Sequence, residues 1–188
     1  MAGATLLAGA GRRAEASPAQ RGAPPVRGPL TPFLGNAHPS KVMAVYFDYH
    51  CPYCREMDPL LPVLARRNPQ LQILLKEFPV LEADSQVGAR IALAAQLRGK
   101  FLQTHERLMK YSGDYTGAVA TEIARWLGVD PDAFRKDMGD PRIEAELRMN
   151  AAEAQARGVN GTPGILTDAG VHSGGLPLER LQAMVNAA

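Results

Sequence analysis

The sequence predicts an α/β fold in which a long helical block interrupts a strand-bearing domain. Three observations predict it. Apolar, β-branched and aromatic runs at 42–48 and 71–78 read as buried strands with a helical stretch between them. From Asp84 to Arg157 the apolar spacing changes to the helical period and stays there. Short strand signals then return at 165–173, followed by one closing helix.

Taken in order, residues 1–28 are rich in Ala, Gly, Pro and Arg without apolar periodicity, and read as a disordered leader. Ala4-Thr5-Leu6-Leu7-Ala8 is apolar and Ala14-Glu15-Ala16 has the form of a signal-peptidase site. No basic residue precedes the apolar run, and Arg12-Arg13 interrupt it. The leader is thus either a signal segment that lacks its beginning or a stretch of no targeting value, and the folded domain is expected at 29–188. Pro29 to Ser40 reads as an extended lead-in to the first strand. Arg55 to Arg67 reads as a helix with Met57, Leu60, Leu61 and Leu64 on its apolar side, kinked by Pro59 and Pro62. Asn68-Pro69 ends it, and the second strand follows.

The insertion, at about 84–157, divides into helices by its caps. Asp84 or Ser85 opens a helix whose Val87, Ile91, Leu93, Ala94, Ala95 and Leu97 are apolar nearly all round, stopped at Gly99. Phe101, Leu102, His105, Leu108 and Met109 form one stripe; Val119, Ile123, Trp126 and Leu127 form another, closed by Gly128. Asp130-Pro131 and Asp140-Pro141 are cap-plus-first-turn starts. The last helix carries Ile143, Leu147, Ala151 and Ala154, and Gly158 stands where a left-handed cap belongs. These stripes read as core, so Trp126, Met109, Met138 and Met149 receive no cofactor role. Ile165-Leu166-Thr167 and Val171-His172-Ser173 read as a hairpin turned at Asp168-Ala169-Gly170, and Pro177 opens the closing helix.

Composition excludes several function classes. With 188 residues, 46% hydrophobic and 21% charged, the chain has the make-up of one globular domain. The net charge of +2 is a property of the leader: four arginines and one glutamate fall in the first 27 residues, leaving 17 basic and 18 acidic beyond. No basic face for nucleic acid is implied. No apolar stretch approaches the roughly 20 residues of a membrane helix.

The chemistry is expected at Asp48-Tyr49-His50-Cys51-Pro52-Tyr53-Cys54, which holds the only two cysteines. A CxxC at a strand-to-helix junction puts the first sulfur at a helix N-terminus, where unpaired N–H groups favour an anion. Cys51 is therefore expected as the thiolate nucleophile and Cys54, one turn on, as the buried resolving thiol. Thiolates so placed have pKa values of roughly 3.5 to 7.5, against about 8.5 for free cysteine. A zinc site wants about four ligands and one CxxC supplies two, with no second CxxC or HxxxH in the chain. An inert disulfide closing so short a loop would remove little chain entropy. Redox chemistry is the reading the pair supports best.

The run Val45-Tyr46-Phe47-Asp48-Tyr49-His50-Cys51-Pro52-Tyr53-Cys54-Arg55 resembles the active-site signature of the DsbA family of thioredoxin-fold disulfide oxidoreductases. Gly35-Asn36, Lys76-Glu77-Phe78-Pro79-Val80-Leu81 and Gly158-Val159-Asn160-Gly161-Thr162-Pro163 extend the likeness in the family's order, over about residues 30–188. The resemblance implies a thioredoxin fold with an inserted helical subdomain, and a cis bond before Pro163 that leaves the backbone of Thr162 free to pair with an extended substrate. His50, Pro52 and Tyr53 would tune the site. Two positions depart from the family pattern. Thr162 replaces the valine of DsbA itself and is similar to the threonine of isomerase-type and ScsC-like relatives. Val45 stands where the family often has a buried acid, so proton transfer to the resolving thiol is expected through water or through Lys76 or Glu77, either of which reads equally as a solvated strand residue.

The expected function is thiol-disulfide exchange with cysteines of other proteins, in the periplasm or another exported location, by a monomer that needs no cofactor or metal. A membrane partner, DsbB-like or DsbD/ScsB-like, would reset it. The alternatives are a disulfide isomerase or reductase kept reduced by its partner, and a soft-metal-binding or chaperone-like protein.

Overall fold

The structure, a computed structural model, describes residues 22–188. Five strands form one mixed sheet: β1 (Phe33–Gly35), β2 (Lys41–Phe47), β3 (Leu71–Glu77), β4 (Gly164–Thr167) and β5 (Gly170–Ser173), in the spatial order β1-β3-β2-β4-β5. β2 and β3 run parallel, with Val45 opposite Leu75 and Phe47 opposite Glu77; the other pairs are antiparallel. A parallel pair needs a crossover, and α1 (Pro52–Met57) and α2 (Leu60–Arg67) supply it. The insertion follows β3 as α3 (Ser85–Gln96), α4 (Phe101–Lys110), α5 (Gly117–Trp126), α6 (Pro131–Met138) and α7 (Pro141–Arg157); α8 (Leu178–Ala187) closes the chain.

The sheet separates two cores because side chains alternate along a strand. Met43, Val45, Phe47, Ile73 and Leu75 face the larger one, with both cysteines, α1, α2, α8 and most of the insertion. Ala44, Tyr46, Leu74 and Leu166 face the smaller one, under Ala154 and Val159. Asp130 and Asp140 cap α6 and α7 through their carboxylates, each followed by proline at the first helical position, and Gly158 ends α7 at φ 78°.

Several expectations need correction. The helix expected from Arg55 begins at Pro52, because Cys51 serves as its N-cap and proline suits the first turn. It is interrupted after Met57, where Asp58 and Pro59 keep helical backbone angles but Pro59 brings no N–H to continue the ladder, while Pro62 is accommodated within α2. Part of the extended lead-in is a strand: Phe33–Gly35 pairs with the outer edge of β3, which would otherwise be an open edge. Gly35 ends it at φ 85°, where a Cβ would stand 2.3 Å from the Leu71 carbonyl. Leu102 and Trp126 are not core but 44% and 48% exposed, and the Arg107 guanidinium lies over the Trp126 ring.

The expected leader also ends earlier than residue 28. Its part up to residue 21 lies outside the described residues. The remainder is bonded to the domain: the Val26 N–H donates to Glu153, Lys76 donates to the Val26 carbonyl, and Arg157 donates to the Ala23 carbonyl. The reason is Lys76, whose side chain is wholly buried on the smaller-core face and needs both Val26 at 2.5 Å and the Glu153 carboxylate at 3.1 Å. Glu153→Ala should therefore cost about 3–5 kcal/mol in urea unfolding by stranding a buried ammonium, while Lys76→Met combined with Glu153→Leu should cost much less.

Candidate active site

Cys51 sits at the end of the turn after β2, with extended backbone (φ −74°, ψ 114°), and its sulfur accepts from the Cys54 N–H at 3.3 Å. Pro52 at the first helical position fixes the direction of α1 without adding a donor that would need a partner. Both sulfurs are free thiols, and both residues are 2% exposed. The Cys51 thiol donates to the Thr162 carbonyl at 3.3 Å across the cis Thr162–Pro163 peptide.

The two thiols differ in acidity because they share one hydrogen bond. The Cys54 side chain, donating to the Cys51 sulfur, lowers the Cys51 pKa from 9.0 to about 6; burial opposes this, while the Thr162 side chain and the N–H groups of Cys54 and Tyr53 assist. The same bond and burial push Cys54 far upward. One thiolate and one thiol is thus the stable reduced pair at neutral pH.

Three consecutive residues ahead of Cys51 tie this turn to the rest of the chain. The buried Asp48 carboxylate accepts from the N–H groups of His50, Val80 and Leu81 and from the Ser85 hydroxyl, at 2.8–3.0 Å. The Tyr49 hydroxyl lies 2.8 Å from Glu77 Oε1 and 3.0 Å from His105 Nδ1. His50 Nε2 is 3.0 Å from the Asp84 carboxylate, which also accepts from the Tyr115 N–H, so the residue expected to cap α3 spends its side chain on the active-site turn instead. Arg55 donates to the carbonyls of Tyr49 and Tyr111.

The structure brings Cys51, Cys54, Pro52, His50, Thr162 and Pro163 together. Tyr53 projects outward, 60% exposed, beside a groove of about 400 Å³ shared with Met57, Leu60 and Leu176. Lys76 and Glu77 part company. Lys76 lies on the opposite face of the sheet, engaged by Glu153, and is removed from the thiols; neither residue is solvated. Glu77 is buried on the face of the thiols, and burial pushes its carboxyl well above the usual range. Sequence reasoning missed Asp48, Tyr49, Asp58, Asp84 and His105 as site-building residues. The available signal was polar side chains at positions expected to be buried, such as His105 within an apolar stripe. Among the described residues no three His, Cys, Asp or Glu side chains converge as a metal set.

Comparison with known proteins places these features in context. Residues 42–186 match the family model described as a DSBA-like thioredoxin domain. A thioredoxin-like oxidoreductase from Silicibacter pomeroyi is 33% identical, with a TM-score of 0.79 over 85% of this chain and 92% of that one. A periplasmic thioredoxin-like protein from Salmonella enterica serovar Typhimurium is 28% identical, with a TM-score of 0.74 over 86% and 91%. Among curated proteins, a Na(+)/H(+) antiporter, NhaA 1, from Salinispora arenicola is 28% identical over 145 residues, which is 76% of this chain but 22% of that protein's length.

The acidity of Cys51 has a direct readout. In the reduced protein, alkylation of Cys51 should rise through a midpoint near pH 6 and level off, while Cys54 stays unreactive below pH 9. Because the folded value is depressed, its contribution to the stability of the reduced protein is present above pH 9 and is lost as pH falls through 6. Unfolding of the reduced protein against a Cys51→Ser variant across that window measures the difference.

Proposed function

Because the chain belongs to the DSBA-like thioredoxin domain family, we propose that it is an exported dithiol oxidase that exchanges its Cys51–Cys54 disulfide with cysteines of other proteins. The observation that carries this is the Cys54 N–H lying 3.3 Å from the Cys51 sulfur at the N-terminus of α1, in a setting that lowers the Cys51 pKa to about 6. Stabilising the thiolate stabilises the reduced form, and a stable reduced form is what makes the disulfide a strong oxidant.

In the first step a substrate thiolate attacks the Cys51 sulfur of the disulfide. A mixed disulfide forms, and Cys54 leaves as a thiolate that takes up one proton. In the second step another substrate thiolate attacks the substrate sulfur of the mixed disulfide and expels Cys51 as its stabilised thiolate. The substrate is oxidised by two electrons and Cys51–Cys54 is reduced by two. Thr162 and Pro163 hold the substrate backbone beside Cys51, and the groove by Tyr53 and Met57 receives its neighbouring side chains. His50, Pro52 and Tyr53 tune the site. Val45 offers no proton, so the proton for Cys54 comes from water or from Glu77, which is buried on the right face. A membrane partner of the DsbB or DsbD/ScsB kind reoxidises or rereduces the pair. The exported location agrees with the periplasmic naming of the Salmonella relative.

Thr162 favours a second reading, a disulfide isomerase or reductase, on its likeness to isomerase-type relatives. Two substrates separate the readings. The oxidised chain should convert a fully reduced multi-cysteine protein to disulfides, and the reduced chain should do little to rescue a scrambled one; the opposite pattern selects the isomerase. Cys54→Ala should accumulate mixed disulfides through Cys51, and Cys51→Ser should form none. Absence of trapped adducts in Cys54→Ala, with a folded protein, removes exchange chemistry altogether.

A further inference from the structure

His105 lies on α4, inside the insertion, and is 3% exposed. Its two ring nitrogens reach the two ends of the helix that carries the cysteines. Nδ1 is 3.0 Å from the hydroxyl of Tyr49, two residues ahead of Cys51. Nε2 is 2.8 Å from the carboxylate of Asp58, the residue that caps α1 and whose N–H donates to the Cys54 carbonyl at 2.8 Å. Phe47 meets the ring edge-on at a centroid distance of 4.8 Å, and Phe101 stacks on it at 5.2 Å. With both nitrogens engaged and the ring held between aromatic neighbours, the imidazole cannot turn without breaking a buried hydrogen bond.

We infer that His105 is a positioning residue for disulfide exchange: it clamps both ends of the CxxC helix and so fixes the alignment of the Cys51 sulfur with its hydrogen-bond donors. The inference rests on the exchange reading above.

The hydrogen-bond contacts around the ring support a clamp. Tyr49 has one O–H and two acceptor-capable neighbours, Glu77 and His105. Burial pushes the Glu77 carboxyl well above its usual range. The Tyr49 hydroxyl donates to Glu77 Oε1, its oxygen lies within hydrogen-bond distance of Nδ1, and Nε2 faces the Asp58 carboxylate, so the contacts run without a break from β3 through the ring to the end of α1. Asp58, the outermost member, has a side chain only 17% exposed.

The test uses three variants of the full chain. His105→Phe keeps a ring between Phe47 and Phe101 and removes both nitrogens. His105→Gln restores a donor and an acceptor. Asp58→Ala removes the outer anchor at the least buried point. For each, the Cys51 thiolate is titrated by its ultraviolet absorbance, the rate of reaction with oxidised glutathione is measured at neutral pH, and thermal unfolding is recorded. The expected result for His105→Phe is a Cys51 midpoint raised by about one pH unit, the equivalent of about one hydrogen bond, with the thiolate fraction at neutral pH, and hence the exchange rate, changed by no more than about twofold. Asp58→Ala should move the midpoint in the same direction by less, and His105→Gln should recover much of the shift. A variant that melts lower yet keeps the parent's midpoint overturns the inference, leaving His105 a structural role alone. If His105→Phe does not fold, Asp58→Ala decides by the same readouts. Should the parent chain itself form no Cys51–Cys54 disulfide, the exchange reading fails, which is a different outcome from an unaltered variant.

Discussion

The Cys54 N–H lies 3.3 Å from the Cys51 sulfur, and the rest of the site depends on keeping it there. An amide at that distance stabilises a thiolate only if helix and turn hold their relative angle, because hydrogen bonds to sulfur weaken quickly with misalignment. α1 is only Pro52–Met57, too short to hold itself in water. Its geometry is imposed from outside.

The insertion imposes much of it. Asp48 is fixed by the β3–α3 connection, Tyr49 by Glu77 and His105, His50 by Asp84, and Arg55 by the loop that follows α4. These side chains come from an exposed-to-buried gradient of polar groups that would be costly without partners, and each has one. On the other face of the sheet a second polar set, Lys76, Glu153 and the segment around Val26, holds α7 and the start of the domain against β3. The protein thus places buried polar groups on both sides of β3, one set serving the thiols and the other the attachment of the first described residues.

Much of this was legible in the sequence. Strand β2, the CxxC turn, the onset of the insertion at Ser85, its end at Gly158 and the final hairpin follow from period, caps and turn residues, all of which act locally. The pairing of Phe33–Gly35 was hidden because a three-residue edge strand is decided by its partner, not by its own propensity. Alternation could have separated Lys76 from Glu77: in register with Val45 and Leu75 on one face, Glu77 falls on the thiol side and Lys76 does not. His105 and Asp58 are 47 residues apart, and no pattern within either segment announces that one ring bridges them. Trp126 fits a helical stripe, yet Ala124 and Leu127 beside it take the buried positions and its ring lies at the surface under the Arg107 guanidinium.

The central claim is that reduction leaves one thiolate and one thiol, and the pH dependence of the reduction potential tests it most directly. The disulfide is equilibrated with glutathione buffers across pH 4 to 9, roughly, and the potential plotted against pH. A two-electron couple that takes up two protons falls by about 60 mV per pH unit, and one that takes up a single proton falls by about 30. The account predicts the steeper slope below pH 6 and the shallower one above it, with the break at the Cys51 titration. A slope that stays near 60 mV per pH unit through neutral pH would mean that Cys51 remains protonated, and would contradict the account.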